Sequence, residues 1–221
     1  GYQSMTSPMT LQAFNTALQR HGTMSLGQIL QPAINYCIHG FAVRPRVLGF
    51  WLQPAQAGRI ERIAVVNKLD AARKIYLSEN GALLNVGDIL KNPDMGRLYQ
   101  RIANEGIGIF YDGDVADLIA ADMKANGGLL TRDDLVDCAP TDLPPLIGKY
   151  RGFDVATNQL PGGGLMILEM LNILEHFDLA AMGHNSAQYI ATVAEAMKYA
   201  TIDKDQFMGD PNFIDVPQDL L

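Results

Sequence analysis

Apolar residues recur along most of the chain with helical spacing. Ser25 and Gln28 form an S-x-x-Q capping box. The helix they open carries Ile29, Leu30, Ala33, Ile34 and Cys37 on one face and stops at Gly40. Thr10 is placed to cap a helix running to Arg20, with Gly22 after it. Residues 44–70 read as further helix, interrupted by Pro45 and Pro54. Asn92 as cap and Pro93 in the first turn predict a helix to Asn104 that buries Met95, Leu98 and Ile102. Another helix is expected over Val115–Ala125, ending at Gly127-Gly128, and Thr131 with Asp134 marks a short one.

Two stretches break this texture. Lys74-Ile75-Tyr76-Leu77 is strand-like, and the turn Ser78-Glu79-Asn80-Gly81 after it predicts a small hairpin near 74–86. Beyond Pro140–Pro145, residues 146–157 read as one or two strands. They lead into the loop Asn158-Gln159-Leu160-Pro161-Gly162-Gly163-Gly164. The helix from Leu165 to Phe177 is polar only at Glu169, Asn172, Glu175 and His176, which predicts burial on nearly every side. A last helix from Ser186 has a narrower stripe of Ile190, Val193, Ala194 and Met197, and residues 208–217 are loop. The predicted class is α+β. Residues 1–145 form a helical part with the hairpin, and residues 146–221 supply strand, glycine-rich loop and two helices packing on the sheet.

Composition narrows the function classes. The chain has 221 residues, 48% apolar and 19% charged, with net charge −7. That is globular composition. Basic residues are scattered as Arg44 and Arg46, Arg59 and Arg62, Arg73 and Lys74, and make no stripe for a nucleic acid. No apolar run reaches the length of a membrane span. The first residues show no signal peptide, and without an initiator Met the chain is expected to begin part-way through a longer protein. Cys37 and Cys138 make neither a CxxC pair nor a disulfide framework, and read as buried, inert thiols.

Candidate chemistry is sparse. Gly162, Gly163 and Gly164 follow a strand and open a helix, so their N–H groups could meet an anion. The favoured reading is that they let a buried helix pack closely on a sheet, since neither a P-loop lysine nor a G-x-G-x-x-G spacing is present. His21, His39, His176 and His184 show no metal-ligand pairing. Asp112-Gly113-Asp114 lacks the later acids of a calcium loop and reads as helix capping, and Asp133-Asp134 as first-turn acids. No serine lies in G-x-S-x-G, and the chain begins with Gly1 rather than an N-terminal nucleophile.

The ordered segments resemble the gamma-glutamyltranspeptidase family. Gly22-Thr23-Met24 with Leu26, Gln31-Pro32-Ala33-Ile34 and Gly40-Phe41-Ala42-Val43 are similar to its early helical stretch. Ile109-Phe110-Tyr111-Asp112-Gly113 with Val115-Ala116 resembles its FYxG-x-I/V-A step, and Asn126-Gly127-Gly128-Leu129-Leu130-Thr131 with Asp134-Leu135 its GG-x-I/L-T-x-x-DL step. Tyr150-Arg151-Gly152, Leu171-Asn172-Ile173-Leu174-Glu175 with Phe177-Asp178-Leu179, Glu195-Ala196 and Gly209-Asp210-Pro211 follow in order. Three places depart from the pattern. Leu160-Pro161-Gly162-Gly163-Gly164 stands where the family has Pro-Pro-Ser-Ser-Gly-Gly, so two hydroxyls are missing. Ile202-Asp203-Lys204 replaces Ala-Asp-Arg, and Pro8-Met9 lacks the glycines of Pro-Gly-x-x-x-Gly.

The resemblance implies a fragment of the large subunit of an N-terminal-nucleophile hydrolase with an αββα sandwich, acting without metal or organic cofactor. It implies a precursor that cuts itself to free a threonine at the start of a small subunit, the partner of this chain. That threonine takes a γ-glutamyl group from a glutathione-like amide to water or an amino acid. The nucleophile is expected beyond Leu221 and a substrate-gripping arginine before Gly1, so no catalytic residue is assigned within the chain. Gly162, Gly163 and Gly164 are the candidate substrate-binding residues. Family members are often periplasmic or secreted. The alternatives are a related acylase or poly-γ-glutamate depolymerase on the same scaffold, or a non-catalytic helical interaction module. A fragment of a two-subunit sandwich should leave apolar surface uncovered, and self-association of the fragment is expected.

Overall fold

The computed structural model describes residues 1–55 and 60–217. It divides into two compact units, Gly1–Pro140 and Thr141–Leu221. Within the first, a single 3-10 turn at Tyr2–Ser4 precedes α1 (Thr10–His21) and α2 (Leu26–His39). Then come β1 (Phe41–Ala42), α3 (Pro45–Trp51), α4 (Arg62–Lys68), α5 (Asp70–Tyr76) and β2 (Ile89–Leu90). α6 (Pro93–Glu105), α7 (Gly108–Tyr111), α8 (Asp114–Ala125) and α9 (Arg132–Val136) complete the unit.

Local chemistry explains most of these ends. The Ser25–Gln28 capping box opens α2, Asn92 caps α6, and Thr131 with Asp134 caps α9. α2 and α6 lie against each other because Gly96 has no side chain; a Cβ there would sit 2.8 Å from Cγ1 of Ile38. Among the described residues, two small cores form. One gathers Ala116, Met123, Leu130 and Leu135 from α8 and α9, and the other Val43, Leu84 and Leu90, flanked by Trp51, Ile75 and Tyr76. β1 and β2 pair antiparallel, Phe41 opposite Leu90 and Ala42 opposite Ile89.

Several expectations change. Lys74-Ile75-Tyr76 is helical, within α5, because Ile75 and Tyr76 pack on the Val43–Leu84–Leu90 core and Tyr76 meets Trp51 edge to face at 5.3 Å. Packing outweighs β propensity there. The turn after it survives: Leu77 bridges Leu83, and Gly81 takes φ +79°. Pro45 opens α3 at its first position rather than interrupting a helix. Thr10 is the first helical residue, and Met9 occupies the cap without a side-chain bond. Met95 is exposed, whereas Ile102 on the same helix is buried. Part of the 44–70 segment, including Arg59, lies outside the described residues.

The second unit is simpler. β3 (Leu146–Tyr150) and β4 (Phe153–Thr157) form an antiparallel hairpin, and α10 (Gly164–Glu175) packs on it. α11 (Ala187–Phe207), capped by Ser186, packs on α10. The turn of the hairpin is tied to the far end of α10: the Arg151 amide donates to Glu175 Oε1 at 2.6 Å, and its guanidinium donates to the Phe177 carbonyl at 2.9 Å. The face away from α10 carries Ile147, 58% exposed, with Lys149, Asp154 and Ala156, and Phe153 stands 75% exposed on the opposite face at the turn. Total accessible surface is 15091 Å². A self-contained globule of 24.1 kDa has about 10,000 Å², and two separate ones of these lengths about 12,000 Å².

Polar ties stiffen the first unit. The buried Tyr111 hydroxyl donates to the Pro8 carbonyl at 2.7 Å and accepts from the Gln12 amide at 3.0 Å. Tyr111→Phe leaves both backbone groups without that partner. It should cost about 1–3 kcal/mol in urea unfolding, whereas Leu118→Ala on the exposed face of α8 stays within about 0.5 kcal/mol.

Candidate functional site

The glycine-rich loop joins β4 to α10 and is held at several points. Gln159 Nε2 donates to the Pro144 carbonyl at 3.1 Å, Leu160 is buried, and the Leu160–Pro161 peptide is cis. The three glycines differ in surroundings. A Cβ at Gly164 would run into the Asn158 carbonyl and lie 2.8 Å from Thr157 Oγ1, so backbone and β4 leave it no room. One at Gly162 would strike the Asn158 side chain. One at Gly163 meets nothing within 4 Å. Gly162 and Gly164 thus serve close packing of α10 on the loop, while the space beside Gly163 is open. No side chain caps α10, so its first-turn N–H groups retain capacity for a hydrogen-bond acceptor.

Below the loop, α10 buries Leu165, Leu168 and Glu169. Burial, and then the Asp203 carboxylate on α11, push the Glu169 carboxyl up to about 7. Sequence reading marked Glu169 only as a polar interruption in an apolar helix. A lone acid on the buried side of α10 was the available signal, but its partner lies 34 residues on and could not be paired by pattern.

The other marked residues have structural partners. Asp112 and Asp117 hold Arg132, at 2.9 and 2.7 Å, and Asp114 holds Arg101 at 2.9 Å. The Arg101 guanidinium keeps the Asp114 carboxyl below the usual carboxylate range. The Asp112-Gly113-Asp114 acids therefore neutralise arginines; Gly113, not an aspartate, is the cap of α8. Asp134 completes the α9 capping box, and hydrogen bonds from Thr131 lower its carboxyl. All four histidines are exposed, and among the described residues no three His, Cys, Asp or Glu side chains converge as a metal cage. Burial raises both thiols, Cys37 and Cys138, which keeps them protonated and unreactive. No described helix is long and apolar enough to cross a membrane.

Comparison with known proteins gives these features a context. The profile of the family described as Gamma-glutamyltranspeptidase matches residues 1–221. The chain is 35% identical over 212 residues to the glutathione hydrolase proenzyme of Escherichia coli, covering 96% of the chain and 35% of that protein. It is 32% identical to the acylase ACY 1 proenzyme of a Pseudomonas species, covering 98% of the chain and 38% of that protein. The chain thus spans just over a third of the length of these curated relatives. The crystal structure of Helicobacter pylori gamma-glutamyltranspeptidase superposes with TM-score 0.89 at 30% identity, covering 99% of the chain and 61% of that chain.

The packing difference among the glycines has a direct check. Gly164→Ala should destabilise the protein by about 2 kcal/mol or more, and Gly163→Ala by less than about 1 kcal/mol, in urea unfolding of the two variants.

Proposed function

Because the chain belongs to the gamma-glutamyltranspeptidase family, we propose that it is part of the large subunit of an N-terminal-nucleophile γ-glutamyl transferase or hydrolase. The supporting observation is the family match over all 221 residues, together with the close superposition on a gamma-glutamyltranspeptidase structure. The reacting threonine lies outside these residues. Its hydroxyl oxygen attacks the γ-carbonyl carbon of a glutathione-like amide, and its own α-amine takes the hydroxyl proton and passes it to the leaving amine. The resulting γ-glutamyl ester is cleaved by water or by the amine of an amino acid. Backbone donors stabilise the oxyanion in both steps.

In this reading the present residues build the wall of the site. The Gly162–Gly164 loop lies toward the pocket, with the uncapped start of α10 and the open side of Gly163 facing substrate. The small subunit of the same precursor covers exposed apolar side chains of the β3–β4 hairpin, Ile147 and Phe153 among them. The excess accessible surface supports this, since neither one globule nor two of this size would leave so much uncovered. When the fragment is made alone, that surface drives self-association.

A second reading is an acylase on the same scaffold. It is favoured by the similarity to an acylase proenzyme and by three glycines where two hydroxyls are usual, which widens the loop for a bulkier acyl group.

The full-length protein should hydrolyse a γ-glutamyl anilide faster than a glutaryl amide or poly-γ-glutamate; the reverse order favours the acylase or depolymerase reading. The isolated 221-residue chain should show no turnover above blank, and turnover by it would place the nucleophile inside these residues. Gly163→Leu in the full-length protein should raise KM for the anilide about tenfold or more with kcat little changed, because a side chain there obstructs substrate before the chemical step.

A further inference from the structure

Glu169 is the buried charged residue of the described chain, 7% exposed, and its Oε2 has no hydrogen-bond partner among the described residues. It lies on the stretch of α10 that also buries Leu165 and Leu168, and its carboxyl meets that of Asp203 on α11. Asp203 is only partly buried, so the cost of this contact falls on the buried Glu169 carboxyl, which is poorly solvated and faces a like charge. One proton between them removes the repulsion, because a protonated carboxyl donates and its neighbour accepts.

Among the described residues, the other charged groups of the hairpin, α10 and α11 are paired elsewhere or face away. On the hairpin, Lys149 and Asp154 stand opposite each other on the exposed face, away from α10. At the far end of α10, Glu175 accepts from the Arg151 amide. On α11, Glu195 pairs with Lys198 at 3.1 Å and Lys204 with Asp205 at 2.6 Å.

We propose that a single proton shared by Glu169 and Asp203 clasps α11 to α10, making the second unit a pH-responsive element that is tight in acid and loosened above neutrality. α10 begins at the glycine-rich loop, so loosening its outer partner reaches that loop through the helix. The sign follows from burial. Folded Glu169 keeps its proton to about pH 7, whereas an ordinary glutamate releases it near 4.5. The stabilisation is complete below the ordinary value and is lost as pH rises through about 7. This inference stands on the geometry of the second unit and does not depend on the proposed reaction.

Hydrogen exchange of α11 in the full-length protein tests it, followed between about pH 5 and about pH 8.5 and corrected for the intrinsic pH dependence of exchange. Wild type should lose protection in the Asp203 half of α11 by about tenfold across that window. Glu169→Gln, which donates without ionising, should keep it. Asp203→Asn removes the repelling charge, should flatten the profile as well, and carries the test if Glu169→Gln does not fold. Superimposable profiles for wild type and the folded variant would overturn the clasp. So would protection restored at high pH by millimolar calcium in wild type alone, which would make the pair a cation site.

Discussion

A shortage of interior governs this chain. Among the described residues, buried apolar side chains gather in small clusters such as Ala116–Met123–Leu130–Leu135 and Val43–Leu84–Leu90, while large side chains such as Phe153 and Ile147 stand in solvent. Apolar burial is the main favourable term in folding. In the proposed reading, the apolar surface left unused is completed by other polypeptide. In that reading the exposed Ile147 and Phe153 of the hairpin and the uncapped start of α10 are contacts made with that polypeptide.

Within that constraint, polar ties do work that a large core would otherwise do. Tyr111 joins the segment at Pro8 to α7, and Gln12 reaches the Cys138 carbonyl at 3.2 Å, so chain ends far apart in sequence are pinned together. Arg101 and Arg132 each bridge two acids, gathering α6, α7, α8 and α9 around one short loop. These arginines are about half exposed, so each pair contributes little by itself. Their value is geometric: they fix the mutual angles of short helices that have little buried area of their own.

Local chemistry made much of this legible from sequence. The capping residues Ser25, Asn92, Thr131 and Ser186 announced their helices because a cap is satisfied by neighbours three residues away. Lys74–Tyr76 misled because Ile75 and Tyr76 take their conformation from a core that includes Val43, more than 30 positions away. The glycine-rich loop was found, but not the division of labour within it; only the crowding of Asn158 against Gly162 and Gly164 separates them from Gly163. The Glu169–Asp203 contact escaped for the same reason as the arginine bridges, since a tertiary pair leaves no periodic trace.

The reading as a whole turns on where the reacting atom sits. A diazoketone analogue of glutamine, which alkylates the nucleophile of a γ-glutamyl-transferring site, locates it directly when full-length protein is labelled and its peptides are mapped by mass. The label should fall on a threonine outside these 221 residues, at the N-terminus of a separate subunit. Stoichiometric label on any side chain between Gly1 and Leu221 would contradict the account.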